Sequence, residues 1–344
     1  MRSRKVTPGT PTPGKLADTW QVMYLTKNAL DKTVAATATV LVPKGTDPAK
    51  APLVGFTPGT QGPAFRCTSS RQIAQGTHYE EYVMNDMLKK GYALAVPDYE
   101  GYTKETNTTY MVGRSLGPVT IDAVRAAKGL KDAGLAADGP VAFRGYSQGG
   151  GAALWAGELQ PAYAPELKLA GVAAGGVPAN LTDVAIQLDG KDGFGFLAYA
   201  LIGLDNAYPE LKLDAVMTDS GRTAFKKLET EDCALEMLRD WKGKRIIDYT
   251  THNPVIDEPW IKRVAENKLV ASGQPEVPVF QYHAGKDGLV QYNQADKHHV
   301  LLQGRQADLE GIRRGGPQGR ARRPVGHPRG QRRRPGVPGG PLRR

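Results

Sequence analysis

Cysteine is nearly absent: Cys67 and Cys233 stand far apart and without the spacing of metal ligands. No cysteine-held metal site is expected, and no cofactor-binding motif is read. Two buried free thiols, or one disulfide in an exported protein, both remain open. Long apolar runs are missing too; none approaches the ~18 residues of a membrane helix. The first residues, Met1 to Pro8, are basic with no apolar core behind them, so no signal peptide is read in the chain as given. Lysine vanishes at the other end, where residues 304–344 hold 12 Arg, no Lys and 2 acidic residues. That segment accounts for the whole formal charge of +10, and the rest is balanced at 33 basic and 33 acidic residues. A basic body reaching for nucleic acid is therefore not expected.

What is present suits a globular chain with one large core, or a core plus an inserted cap: 344 residues, 40% apolar and 23% charged. Extended runs Trp20–Leu25 and Val34–Val42 flank turn residues and read as an antiparallel hairpin. Pro52–Phe56 and Tyr92–Val96 read as buried strands, with a helix over Tyr79–Lys90 between them. A helix over Val119–Leu130 and a strand over Leu169–Gly175 continue the alternation, which predicts a mostly parallel sheet covered by helices. The alternation stops after Pro178. Residues 180–275 read as a helical insertion, with Phe194–Leu204 apolar nearly all round, and Val277–His283 restores a strand. The globular domain is thus assigned to residues 15–303. Residues 304–344, with ten Gly and six Pro among the arginines, read as a disordered tail.

The stretch that organises the chain is Gly145-Tyr146-Ser147-Gln148-Gly149, between the short strand Val141–Arg144 and a helix opening on small residues. This is the context of a G-x-S-x-G nucleophile elbow, which sets a serine hydroxyl above the sheet edge and before a helix N-terminus. A serine hydroxyl needs a base, and the base needs an orienting acid. Asp287 fits the acid, in a loop just after a late strand, with Leu289 and Val290 to wall it from water. An aspartate in such a Gly-flanked loop also suits a plain turn.

Together with Thr57–Gly62, Asp98-Tyr99-Glu100-Gly101, Ala174–Pro178 and Tyr282–Asp287, the elbow resembles the secretory lipase family of α/β-hydrolases over roughly residues 20–302. The resemblance implies hydrolysis of carboxylic esters, acylglycerols among them, under a helical cap that can touch a lipid interface. It implies Ser147 as nucleophile, Asp287 as acid, an oxyanion hole from the Gln148 N–H and a group on the Asp98 loop, and export. For Asp98 a turn or helix-capping role is the alternative. A non-catalytic binding protein of the same fold is the competing reading.

The base is where the chain departs from the family. His283 precedes the acid and reads as structural; His298 and His299 follow it too soon; His327 lies in the arginine-rich tail. His327 is retained as the candidate. The flood of Arg, Gly and Pro is that of GC-rich DNA read out of frame. Asp308–Arg313 can be encoded so that a one-base shift yields Thr-Trp-Lys-Glu-Tyr, a last strand, followed by Asp-His with the histidine level with Pro317. The frame change is expected after about Leu302.

Overall fold

The computed structural model describes residues 1–9, 11–102, 106–301 and 307–312. Among these described residues nine strands form one sheet in the order β1-β2-β3-β5-β4-β6-β7-β8-β9. They are β1 (Arg2–Val6), β2 (Ala17–Lys27), β3 (Thr33–Pro43), β4 (Leu53–Thr57), β5 (Ala93–Pro97), β6 (Val141–Tyr146), β7 (Leu169–Gly175), β8 (Val279–Ala284) and β9 (Ala307–Ile312). The first three are antiparallel and β3 pairs antiparallel with β5; every later pairing is parallel. The expected hairpin is β2–β3, where alternating burial puts Trp20, Val22 and Tyr24 in the core. β4 and β5 are buried at every residue, as continuous apolar runs covered on both faces must be.

The order reverses around β4. The connection from β4 leads to β5 on one side, and the helix Gly113–Lys128 then carries the chain back past β4 to β6. Such a reversal opens a crevice at the carboxyl ends of the strands, between β4 and β6. The loop after β4, the elbow after β6 and the Asp287 loop after β8 all emerge at that edge.

The helix before the elbow strand starts at Gly113, six residues ahead of the predicted start at Val119. Its early turns carry Gly113, Gly117 and Pro118, which hide a helical pattern in the sequence. The reason for Gly113 is tertiary: a Cβ there would run into the Trp155 ring on the elbow helix Gln148–Tyr163. The insertion is helical as expected, with helices Leu181–Leu188, Phe194–Ala207, Asp219–Glu231, Ala234–Asp240 and Glu258–Glu266. It has a core of its own, in which Phe194, Leu201, Leu204, Phe225, Trp241 and Trp260 are buried.

Two strands were not foreseen. β1 is a cationic edge strand, mostly exposed, tied to β2 by Lys5–Asp18 at 3.0 Å and by Arg4 to Gln21. Positive charge on an edge discourages pairing with another chain. β9 corrects the placement of the tail. Ala307–Ile312 pairs with β8 from Val279↔Ala307 to Ala284↔Ile312, and residues 1–313 form one compact unit. The period-2 alternation of Ala307 and Leu309 with Asp308 and Glu310 is a strand pattern in the frame as written. The remaining residues of the proposed tail, including His327, lie outside the described residues.

Candidate active site

Ser147 follows β6 directly and caps the elbow helix with φ 57° and ψ −121°. An L-residue held at positive φ is strained, and the surroundings fix it. The Ser147 N–H donates to Gly175 O at 2.9 Å, and Ser147 O accepts from Gly151 N–H at 3.0 Å. Thr57 Oγ1 ties β4 to the turn, donating to Gly149 O at 2.7 Å. A Cβ on Gly149 would collide with the Thr57 carbonyl, which explains the glycine after the serine. The Gln148 N–H is the first of the helix and has no partner within it.

The loop Pro58–Gly62 after β4 lies against this turn. Each of its five carbonyls is taken: Pro58 O by Tyr99 OH (2.6 Å), Gly59 O by Gln61 Nε2 (3.1 Å), Thr60 O by Tyr79 OH (3.3 Å), Gln61 O by Ala234 N–H (2.8 Å) and Gly62 O by Tyr102 OH (2.5 Å). The Gly59 N–H donates to Glu80 Oε2 at 2.7 Å. Among the described residues the N–H groups of Thr60 and Gln61 have no acceptor. Thr60 and Ser147 border the same cavity. Free donors beside a strained serine are what a developing oxyanion requires.

Asp287 sits in the loop after β8. Its Oδ1 accepts from the N–H groups of Leu289 and Val290, both at 2.9 Å, and its Oδ2 accepts from Tyr146 OH at 3.3 Å. Leu289 and Val290 line the Ser147 cavity, so the Asp287 loop and the serine are brought together. His283 is fully buried; its Nε2–H donates to Val290 O at 2.8 Å, and Nε2 lies 3.8 Å from Asp287 Oδ2. His298 is buried with its Nδ1 against Gln281 Nε2 at 3.0 Å, on the β8 side rather than in the cavity. The His299 side chain and His327 lie outside the described residues.

Asp98 is not brought to this cavity, and its place in an oxyanion hole is corrected. It is buried, with Oδ2 accepting from Thr37 Oγ1 at 2.6 Å and Oδ1 from Ser70 N–H at 2.7 Å. Burial raises its pKa to about 6, against those hydrogen bonds. It fastens β3 and the Ser69–Gln75 helix to the end of β5. The Gly-rich run after β4, at the sheet's reversal, was the sequence signal for the donor loop.

The cavity holds about 350 Å³ and is walled mainly by apolar side chains, among them Met111, Leu181, Phe196, Leu201, Leu238 and Val264. Most come from the cap. Cys67 and Cys233 are bonded to each other, with Cα atoms 5.6 Å apart. This joins the end of the β4 loop to the cap helix Ala234–Asp240, where Ala64 N–H also donates to Asp232 O. Among the described residues no group of three or more His, Cys, Asp or Glu could hold a metal ion.

Residues 68–313 match the family described as secretory lipase. Among characterised proteins, Lipase 6 of Candida albicans is 31% identical over 314 residues and Lipase 1 of the same organism 32% over 309. The alignments cover 84% and 81% of this chain but 66% and 64% of those proteins, so the chain spans just under two thirds of their length. The crystal structure of Candida antarctica lipase A in its closed state superposes with a TM-score of 0.80 at 25% identity, covering 91% of this chain and 75% of that one. The rice cell wall degrading esterase LipA from Xanthomonas oryzae superposes at 0.77 with 21% identity, over 92% and 91% of the two chains, a likeness of fold.

Proposed function

Because the chain belongs to the secretory lipase family, we propose that it is a serine hydrolase of carboxylic esters, acylglycerols included. The observation that carries this is Ser147, strained at φ 57° beside an apolar cavity, with unpaired backbone donors on two sides. The Ser147 hydroxyl attacks the ester carbonyl, losing its proton to a histidine. The N–H groups of Gln148 and of Thr60 or Gln61 hold the oxyanion. Collapse expels the alcohol, which takes that proton, and leaves an acyl group on Ser147; water then releases the acid. Asp287 orients the histidine. The cavity takes the acyl chain. Leu235, Ile186 and Ile256, exposed at 78%, 74% and 70%, adjoin residues that line the cavity and offer a lipid interface an apolar rim.

The base lies beyond β9, and His327 is the one histidine of the sequence found there. The family match runs through residue 313 in the frame as written, which moves the expected frame change from about Leu302 to beyond Arg313. With the base displaced, the chain as written is an impaired hydrolase. Oxyanion stabilisation and binding alone leave about 10³–10⁴-fold over water. Among the described residues no histidine lines the cavity, and this favours the second reading, a non-catalytic binding protein of the same fold.

Ser147→Ala tests the assignment on a short-chain nitrophenyl ester, alongside labelling by a fluorophosphonate. Loss of rate and label with an unchanged melting temperature is expected, since the substitution removes a hydroxyl and little packing. Read in the chain with its frame restored beyond Arg313, where a base is available, residual activity above about one per cent of the parent rate counts against the elbow.

A further inference from the structure

The oxyanion donors proposed above are backbone groups on a loop, so their aim depends on what fixes that backbone. One peptide of the loop is held at both poles. Its carbonyl, Pro58 O, accepts from Tyr99 OH at 2.6 Å, and its N–H, on Gly59, donates to Glu80 Oε2 at 2.7 Å. A Cβ added at Gly59 would stand 3.3 Å from the Tyr146 carbonyl, one residue before the nucleophile. We propose that Glu80 is a positioning residue for catalysis, whose carboxyl oxygen fixes the Gly59 peptide so that the next N–H groups face the acyl oxygen. The proposal rests on the serine-hydrolase reading and deepens it.

A carboxyl here is costly, which argues against a filler role. Glu80 is 7% exposed and caps no helix with its side chain. Burial pushes its pKa up to about 7, with the Gly59 N–H and the charge of Arg144 pulling the other way. An apolar residue would fill the volume without that desolvation cost. What an apolar residue cannot do is accept the Gly59 N–H. Without that acceptor the peptide has one pole buried and unpaired and gains a reason to rotate. Its mount is rigid: Glu80 opens the helix Glu81–Lys89, and its own N–H donates to His78 Nδ1 at 3.2 Å.

The experiment compares Glu80→Leu, which removes the acceptor, with Glu80→Gln, which keeps a carbonyl oxygen in place and removes the charge. Three quantities are read in the full chain: Ser147-dependent hydrolysis of nitrophenyl acetate, melting temperature, and amide exchange of a peptide covering Pro58–Gly62. Loss of one oxyanion donor typically costs roughly 10²–10³ in kcat, so Glu80→Leu is expected to lose at least ~10-fold in kcat with KM within about twofold. Glu80→Gln should stay within about threefold of the parent, and exchange over Pro58–Gly62 should speed up in the leucine variant alone. Equal losses in both variants, or a rise in KM that tracks a lowered melting temperature, would overturn the positioning role. Unchanged exchange in Glu80→Leu would overturn the clamp itself. If neither the unsubstituted chain nor its form with the frame restored beyond Arg313 shows Ser147-dependent hydrolysis, the hydrolase reading fails instead, and its catalytic corollary with it.

Discussion

Glu158 should make this fold weaker as the solution becomes more alkaline. It lies on the elbow helix, 4% exposed, with Oε1 accepting from Val270 N–H at 2.8 Å and Oε2 without a partner. Burial raises its pKa from the ordinary 4.5 to about 8, the Val270 hydrogen bond opposing. Below about 4.5 the carboxyl is protonated in folded and unfolded chain alike, and the fold has its full stability. Between 4.5 and about 8 the unfolded chain gives up a proton that the folded chain keeps, so stability falls as pH rises. Above about 8 both forms are ionised and the loss is complete. Taken at face value the shift is worth roughly 5 kcal/mol. Local relaxation and water entry reduce such penalties, and about 2–3 kcal/mol is the expected size. For a protein of this length that is roughly 3–4 °C in melting temperature.

Glu158→Gln keeps an acceptor for Val270 and has no charge to bury. Melting curves of parent and variant at pH 5 and pH 9 isolate the effect, because other buried acids, such as Asp98 and Glu80, cancel in the difference. The variant should gain on the parent by several degrees on going from pH 5 to pH 9. An identical difference at both pH values would refute the reasoning, and would mean that water reaches Glu158.

Three further outcomes are expected. Removing the Cys67–Cys233 bond, which closes a separation of 166 residues, should cost up to about 5 kcal/mol, read as a lower melting temperature; alkylation of two thiols without reductant would show that the bond is absent. Phe196→Asp should slow hydrolysis of long acyl esters more than of acetate, because its ring lines the cavity, whereas equal losses with a lower melting temperature would make it core. Restoring the frame just beyond Arg313 should raise esterase rate and soluble yield together; equal rates in the two forms would direct mutagenesis to His327.

Much of the framework was legible because it is written in local patterns. The elbow pairs a short alternating strand with a glycine-rich helix start, and Asp287 sits in a polar loop after a clear strand. The hairpin β2–β3 shows its period over eleven residues in each strand. What stayed hidden depends on partners distant in sequence. Asp98 looked like a ligand-binding residue at a strand end, yet Thr37, 61 positions away, takes its carboxylate. The loop Pro58–Gly62 looked like a turn, and its free N–H groups stand out only once tyrosines 79, 99 and 102 are seen to occupy its carbonyls. β1, with three charged residues in five, does not read as a strand until a neighbour supplies the hydrogen bonds. Gly113 and Gly117 read as helix breakers because what requires them, the Trp155 ring for Gly113 and the Leu159 side chain and Trp155 carbonyl for Gly117, is some forty residues away.

The bond between Cys67 and Cys233 bears on how a substrate could get in and out. The cap helix Ala234–Asp240 is soldered to the far end of the β4 loop, and Ala234 N–H grips Gln61 O from the same side. A door hung on that helix could not swing alone; it would drag the Thr60–Gln61 backbone with it. Opening by that route would disarm the catalyst, and closing would arm it, so that Ser147 would meet its oxyanion donors only with the door shut.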